Sequence, residues 1–137
     1  MDRVMNILHV DDDEIDVMNV QRAFAKAKSR SHLFHAEDGI VALEMLRAGT
    51  VPRERRMVLL DVNMPRMSGI EFLEALRADA QLRSTPVVML TTSEEERDRV
   101  QAYDRHVAGY HVKPVKFAAF VELLTTLDRY WSLAEMP

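Results

Sequence analysis

Five short apolar runs recur along the chain, MNILHV at 5–10, HLFHA at 32–36, MVLL at 57–60, PVVML at 86–90 and AGYHV at 108–112. Each is four to six residues long, a length that suits strands. The first, third and fourth lack strict polar–apolar alternation, the pattern of parallel strands covered on both faces. The intervening segments have helical periodicity. From Glu14 to Lys28, the residues Val17, Val20, Phe24 and Ala27 share one stripe. Asp38 can cap a second helix with Val41, Met45 and Ala48 on its apolar side, and Gly49 can end it in the left-handed conformation. Ser68 can cap a third, burying Ile70, Phe72, Leu73 and Leu76. Ser93 and Glu96 have capping-box spacing before a charged fourth helix, and a fifth runs from about Val115 to Trp131. Strand followed by helix, five times over, predicts one doubly wound α/β domain over 1–137 with helices on both faces of a parallel sheet. The long connection near Gly49–Arg56, with Pro52 and three arginines, reads as a solvated loop.

Composition narrows the classes of function. A net charge of -4 gives no basic footprint for nucleic acid or an anionic membrane surface. The absence of cysteine excludes disulfides, thiolate metal sites and cysteine nucleophiles, and fits a cytoplasmic location. The N-terminus reaches acids before an apolar leader develops, so no export or membrane segment is expected.

Ligands of open α/β sheets bind outside the carboxyl ends of the strands. There the first run ends in Asp11, Asp12 and Asp13, the third in Asp61, the fourth in Thr91 and Thr92, and the fifth reaches Lys113 before Pro114. Acids at the start of a helix are ordinarily explained by the helix dipole. Asp61 brought beside Asp11 and Asp12 makes a like-charge cluster, which needs a cation to relieve it. Mg²⁺ suits oxygen donors of this kind, and Lys113 adds a further positive charge. The set is suited to phosphoryl transfer onto a carboxylate, with Asp61 attacking phosphorus in line, Lys113 pairing with a transferring oxygen and Thr91 bonding the group on arrival.

The motifs VDDDE at 10–14, LLDVNMPRMSG at 59–69, VVMLTTS at 87–93 and GYHVKP at 109–114 together resemble the receiver domain of bacterial response regulators, over essentially the whole chain. The resemblance implies a flavodoxin-like five-stranded sheet of order 2-1-3-4-5. It implies Asp61 as phospho-acceptor, Asp12 as a direct metal ligand, Asp11 as a ligand through water, the Asn63 carbonyl as a further ligand, and Lys113 and Thr91 as phosphoryl contacts. Thr91 and Tyr110 would be the switch pair, and Asn63 and Ser93 would influence how water reaches the phosphoryl group; Thr92, where many receivers carry alanine, departs from the family and would narrow that access. It also implies a cis bond between Lys113 and Pro114. Gly69 is expected to serve backbone geometry that a side chain would obstruct.

Only SLAEMP follows Trp131, so no output domain is expected and the switch would act by binding. The segment from AYDRHV to the terminal YW resembles stand-alone regulators that partner phytochrome-type sensor histidine kinases. The last helix is apolar on more than one side, and Phe120, Leu123, Leu127, Tyr130 and Trp131 are expected to offer a homodimer surface beneath the commoner role of such a stripe as core. His9 reads as a core residue, and the other histidines lack metal-ligand spacing. Two rival functions remain. A haloacid-dehalogenase-type enzyme would use the Asp-x-Asp spacing of Asp11 and Asp13. A pseudo-receiver would keep the fold and bind a partner without phosphorylation.

Overall fold

The computed structural model describes residues 4–137. Strands β1 (Asn6–Val10), β2 (His32–Ala36), β3 (Arg56–Leu60), β4 (Val87–Thr91) and β5 (Gly109–Val112) alternate with helices α1 (Glu14–Lys26), α2 (Gly39–Ala48), α3 (Gly69–Ala78), α4 (Glu96–Asp104) and α5 (Phe117–Leu133). The strands form one parallel sheet in the order β2-β1-β3-β4-β5, the flavodoxin-like arrangement that was expected.

The uninterrupted apolar runs arise because both sheet faces are covered. Leu8, Val10, Val58, Leu60, Val87 and Met89 turn toward α2, α3 and α4, where Leu43, Leu46, Phe72, Leu73 and Leu76 meet them. Ile7, Met57, Leu59, Val88 and Leu90 turn the other way, against Val20, Ala23 and Phe24 of α1 and Phe120 and Leu124 of α5. β3 is buried at every position, as the central strand of such a sandwich must be.

Several local details depart from the sequence expectations. The buried side of α2 is Gly39, Ala42, Leu43 and Leu46, one helical step from the stripe read in sequence; Val41 and Met45 are only partly covered. The capping box on Ser93 and Glu96 does not form. Asp98 takes the Ser93 hydroxyl at 2.6 Å, and α4 starts after Glu95 with no side-chain cap. α5 begins at Phe117, leaving Val115 fully exposed. The peptide between Lys113 and Pro114 is trans, like every bond among the described residues.

Of the three arginines near Gly49–Arg56, Arg53 is exposed as a solvated loop requires, but Arg55 is half-buried and Arg56 buried. Arg56 is buried at the start of β3, where its guanidinium donates to the carbonyls of Leu46 and Val51. Arg55 donates to the carbonyls of Trp131 and Ala134, tying the end of α5 to the sheet. Arg77 of α3 similarly bonds four carbonyls, those of Arg83, Thr85, Arg105 and His106, and holds together the loops entering β4 and β5.

Two glycines separate close approach from backbone conformation. A Cβ on Gly69 would lie 2.2 Å from the Asp61 carbonyl oxygen and 2.9 Å from Val62 Cα, both backbone atoms that cannot step aside. Gly49 has φ 75° and open space around it. Gly69→Ala is therefore expected to destabilise the protein by about 3 kcal/mol, and Gly49→Ala by about 1 kcal/mol, as read from denaturant unfolding midpoints.

Candidate phosphoryl-acceptor site

The backbone ladder continues one residue past three strands, and these are the residues that carry the chemistry. Asp11 N–H donates to the Ala36 carbonyl, Asp61 N–H to that of Val10, and Lys113 N–H to that of Thr91 at 2.7 Å. Three side chains from distant parts of the chain are thereby fixed on one edge of the sheet. Carboxylate oxygens of Asp11, Asp12 and Asp61 lie within 4.8 Å of one another, with Asp11 and Asp61 buried and Asp12 exposed.

Lys113 stands against this cluster, but its two partners are Asp11 Oδ2 at 2.7 Å and Asp16 Oδ2 at 2.8 Å. Asp16 was not singled out in the sequence. Its position one helical turn beyond Asp12 and Asp13 was the available signal, because residues three and four apart share a helix face. Asp13, by contrast, turns away from the cluster. Its side chain caps α1 by accepting from the amides of Ile15 and Asp16, which removes it from the Asp-x-Asp role of the dehalogenase alternative.

The buried carboxyls are pushed in opposite directions. Burial pushes Asp11 up, but His9, the hydrogen bond and charge of Lys113 and the Asp13 amide outweigh it and hold the group at about 2. His9 Nε2 stands 3.6 Å from Asp11 Oδ2, near enough to act on its charge, and the two form an ion pair only when the imidazole is protonated. His9 is buried, as expected of a core histidine. Burial raises Asp61, and the charge of Asp11 adds to it; Lys113, the Thr91 hydroxyl and the Val62 amide offset this only in part. Burial would lower Lys113, yet Asp11, Asp16 and Asp61 together raise it. The edge is thus short of positive charge at Asp61. Three carboxylates from two loops form an oxygen donor set of the kind that holds a hard divalent cation, and such a cation would stabilise developing charge on a transferring group.

Thr91 is fully buried, and its hydroxyl oxygen accepts from the Ser93 amide at 3.2 Å. The Ser93 carbonyl in turn accepts from the Tyr110 hydroxyl at 3.0 Å. Tyr110 is half-buried against the core, and burial raises its pKa. Thr91 and Tyr110 therefore meet through a single residue, Ser93. The hydroxyl of Ser93 is held by Asp98, while Thr92 and Asn63 are exposed at the rim.

The proposed dimer residues are divided by the structure. Phe120 is only 4% exposed and packs into the sheet, so it is not surface. Leu123, Leu127 and Trp131 are partly buried against the same core, and Tyr130 is exposed.

Clustered carboxylates, a paired lysine and a strand-end hydroxyl at the carboxyl edge of a 2-1-3-4-5 sheet are the arrangement of a receiver. Residues 7–125 match the response regulator receiver domain, and the chain belongs to that family. It is 35% identical over 127 residues to the probable methanogenesis regulatory protein FilR2 of Methanothrix harundinacea, a match covering 91% of this chain and 82% of the relative. Among solved structures, the phosphorylated cyanobacterial phytochrome response regulator RcpA superposes with a TM-score of 0.86 at 30% identity, covering 98% of this chain and 99% of that one. The Mn(2+)-bound form of response regulator Rcp1 gives 0.83 at 29% identity, with the same coverage.

The opposed pKa shifts have opposite consequences for stability. Asp61 is raised in the folded protein, so its ionisation removes stability as pH rises through and above its unfolded value. Asp11 is depressed, so its contribution is present above the ordinary 3.8 and is lost as pH falls toward about 2. In metal-free protein at pH 7, Asp61→Asn is expected to raise stability by roughly 1 kcal/mol, about 3 °C in Tm for a chain of this length. Scanning calorimetry with and without Mg²⁺ checks this, with the cation stabilising wild type more than the variant.

Proposed function

We propose that this chain is a phosphoryl-accepting switch of a two-component pathway, in which a sensor histidine kinase transfers its phosphoryl group to Asp61 in a Mg²⁺-dependent reaction. The observation that carries the reading is the placement of a buried Asp61 carboxylate within 4.8 Å of the Asp11 and Asp12 carboxylate oxygens, on the edge where Lys113 is held. An Asp61 oxygen forms the new P–O bond as the P–N bond to the donor imidazole breaks, and the imidazole takes up a proton. Lys113 pairs with a transferred oxygen, and Thr91 donates its hydroxyl to another. Asp12, Asp61, the Asn63 carbonyl and, through water, Asp11 would hold the cation. The chain catalyses only its own modification and the later loss of the phosphoryl group, with Thr92, Ser93 and Asn63 governing access.

The output is a population shift transmitted from Thr91 through Ser93 to Tyr110 and the α4–β5 surface. Inverting a 1:99 equilibrium requires phosphorylation to favour the active state by about 5.5 kcal/mol. The phytochrome response regulators among the structural neighbours support a phytochrome-type kinase as the partner, in the cytoplasm.

Incubation with Mg²⁺ and a small phosphodonor is expected to add one phosphoryl group, mapped by mass spectrometry to Asp61 and absent from Asp61→Asn. Lys113→Ala should slow the reaction by about a hundredfold. A label on Asp11 would favour the dehalogenase alternative, and no label would favour a pseudo-receiver. Transfer from a panel of autophosphorylated kinases tests the partner.

A homodimer through the end of α5 is part of the same proposal. Tyr130 and Leu133 are exposed there, beside partly buried Leu123, Leu127 and Trp131. Light scattering should show a dimer, weakened by Tyr130→Glu. A monomer at high concentration, with and without phosphodonor, overturns the dimer alone.

A further inference from the structure

The loop that leaves Asp61 has an anchor outside the acid cluster. Its far end is closed by the Gly69 amide donating to the Val62 carbonyl at 2.8 Å. Between these points Arg66 adopts φ 63°, a left-handed conformation uncommon for a residue with a Cβ. Its Nε donates to Asp38 Oδ2 at 2.8 Å, and its terminal nitrogen donates to the same oxygen. Asp38 divides its carboxylate between two tasks, because Oδ1 accepts from the Val41 amide at 3.0 Å and caps α2. The next residue on each side lies close by, for a Cβ added at Gly39 would come within 2.9 Å of Met67 Sδ, so the loops approach where only glycine leaves room.

An exposed arginine pair ordinarily contributes little. This one differs in its partner. The Asp38 side chain is 4% exposed and is already oriented by its cap, so Arg66 meets an acceptor that cannot drift. The contact joins two βα loops at the carboxyl edge of the sheet, one leading into α2 and the other carrying Asn63.

We propose that Arg66 is a positioning residue for the divalent-cation site, holding through Asp38 the loop that presents the Asn63 carbonyl. The proposal rests on the metal-dependent reading of Asp61. Mg²⁺ demands near-ideal octahedral geometry, so a loosened carbonyl ligand weakens affinity before it slows transfer at saturating metal.

The test uses the full chain and four variants: Arg66→Ala, Arg66→Lys, Asp38→Asn and the double variant Arg66→Ala with Asp38→Asn. Asp38→Asn keeps Oδ1 as the cap of α2 while placing an amide group against Arg66, so it carries the test if Arg66→Ala fails to fold. Mg²⁺ affinity is measured by calorimetry, and amide hydrogen exchange over residues 63–68 is followed in metal-free protein. Arg66→Ala and Asp38→Asn are expected to weaken Mg²⁺ binding about tenfold and to speed exchange in the loop. Arg66→Lys should recover part of both, and the double variant should be no worse than either single. In phosphorylation assays the loss should show as a raised Mg²⁺ requirement. Unchanged affinity in a folded Asp38→Asn or Arg66→Ala protein, or losses that add in the double variant, overturns the role of Arg66 and leaves the acceptor site standing. A wild-type protein that binds no divalent cation overturns both.

Discussion

The buried pair between Lys113 and Asp11 is the contact on which the acid edge depends. Asp11 is inaccessible to solvent, and an unpaired carboxylate in that position would be strongly unfavourable or would take up a proton. With the ammonium at 2.7 Å, Asp11 stays ionised to about 2. That charge in turn helps raise Asp61. One lysine thus helps keep one acid charged and leaves its neighbour under-compensated. The pair also spans the sheet, joining the end of β1 to the residue that follows β5. The pair is therefore complete only where β5 has joined the sheet.

Much of this architecture was legible in the chain because it rests on local pattern. The five apolar runs became the five strands within a residue or two, since a strand covered on both faces leaves an unbroken apolar signature. Ser68 capped α3 as read, with Glu71 completing the reciprocal bond. Asp11, Asp12, Asp61, Thr91 and Lys113 were found because strand ends in a parallel sheet share one edge. The capping box at Ser93 failed because α4 begins at Glu96, two residues later than the spacing rule requires, so Ser93 lies ahead of the cap, its oxygen accepting from the Glu95 amide and its proton going to Asp98.

The features that were not legible are polar contacts over long sequence separations. Asp16 with Lys113, Arg66 with Asp38 and Arg55 with the end of α5 have no periodicity that predicts them. The arginines around 53–56 show the difficulty most clearly. Composition places such a run in water, but Arg56 is drawn inside because Leu46 and Val51 leave carbonyls at the foot of β3 that need donors. Phe120 illustrates the reverse. Its helix is apolar on several sides, and only the packing of α5 against α1 decides which side is core.

An ammonium carries three N–H bonds in tetrahedral array. Two of those on Lys113 are directed to Asp11 and Asp16. The third is used by neither carboxylate, so the two bonds fix the ammonium without exhausting its donors. The two carboxylates, one from the end of β1 and one from α1, thus act as a jig that sets the lysine at the sheet edge while one donor stays uncommitted.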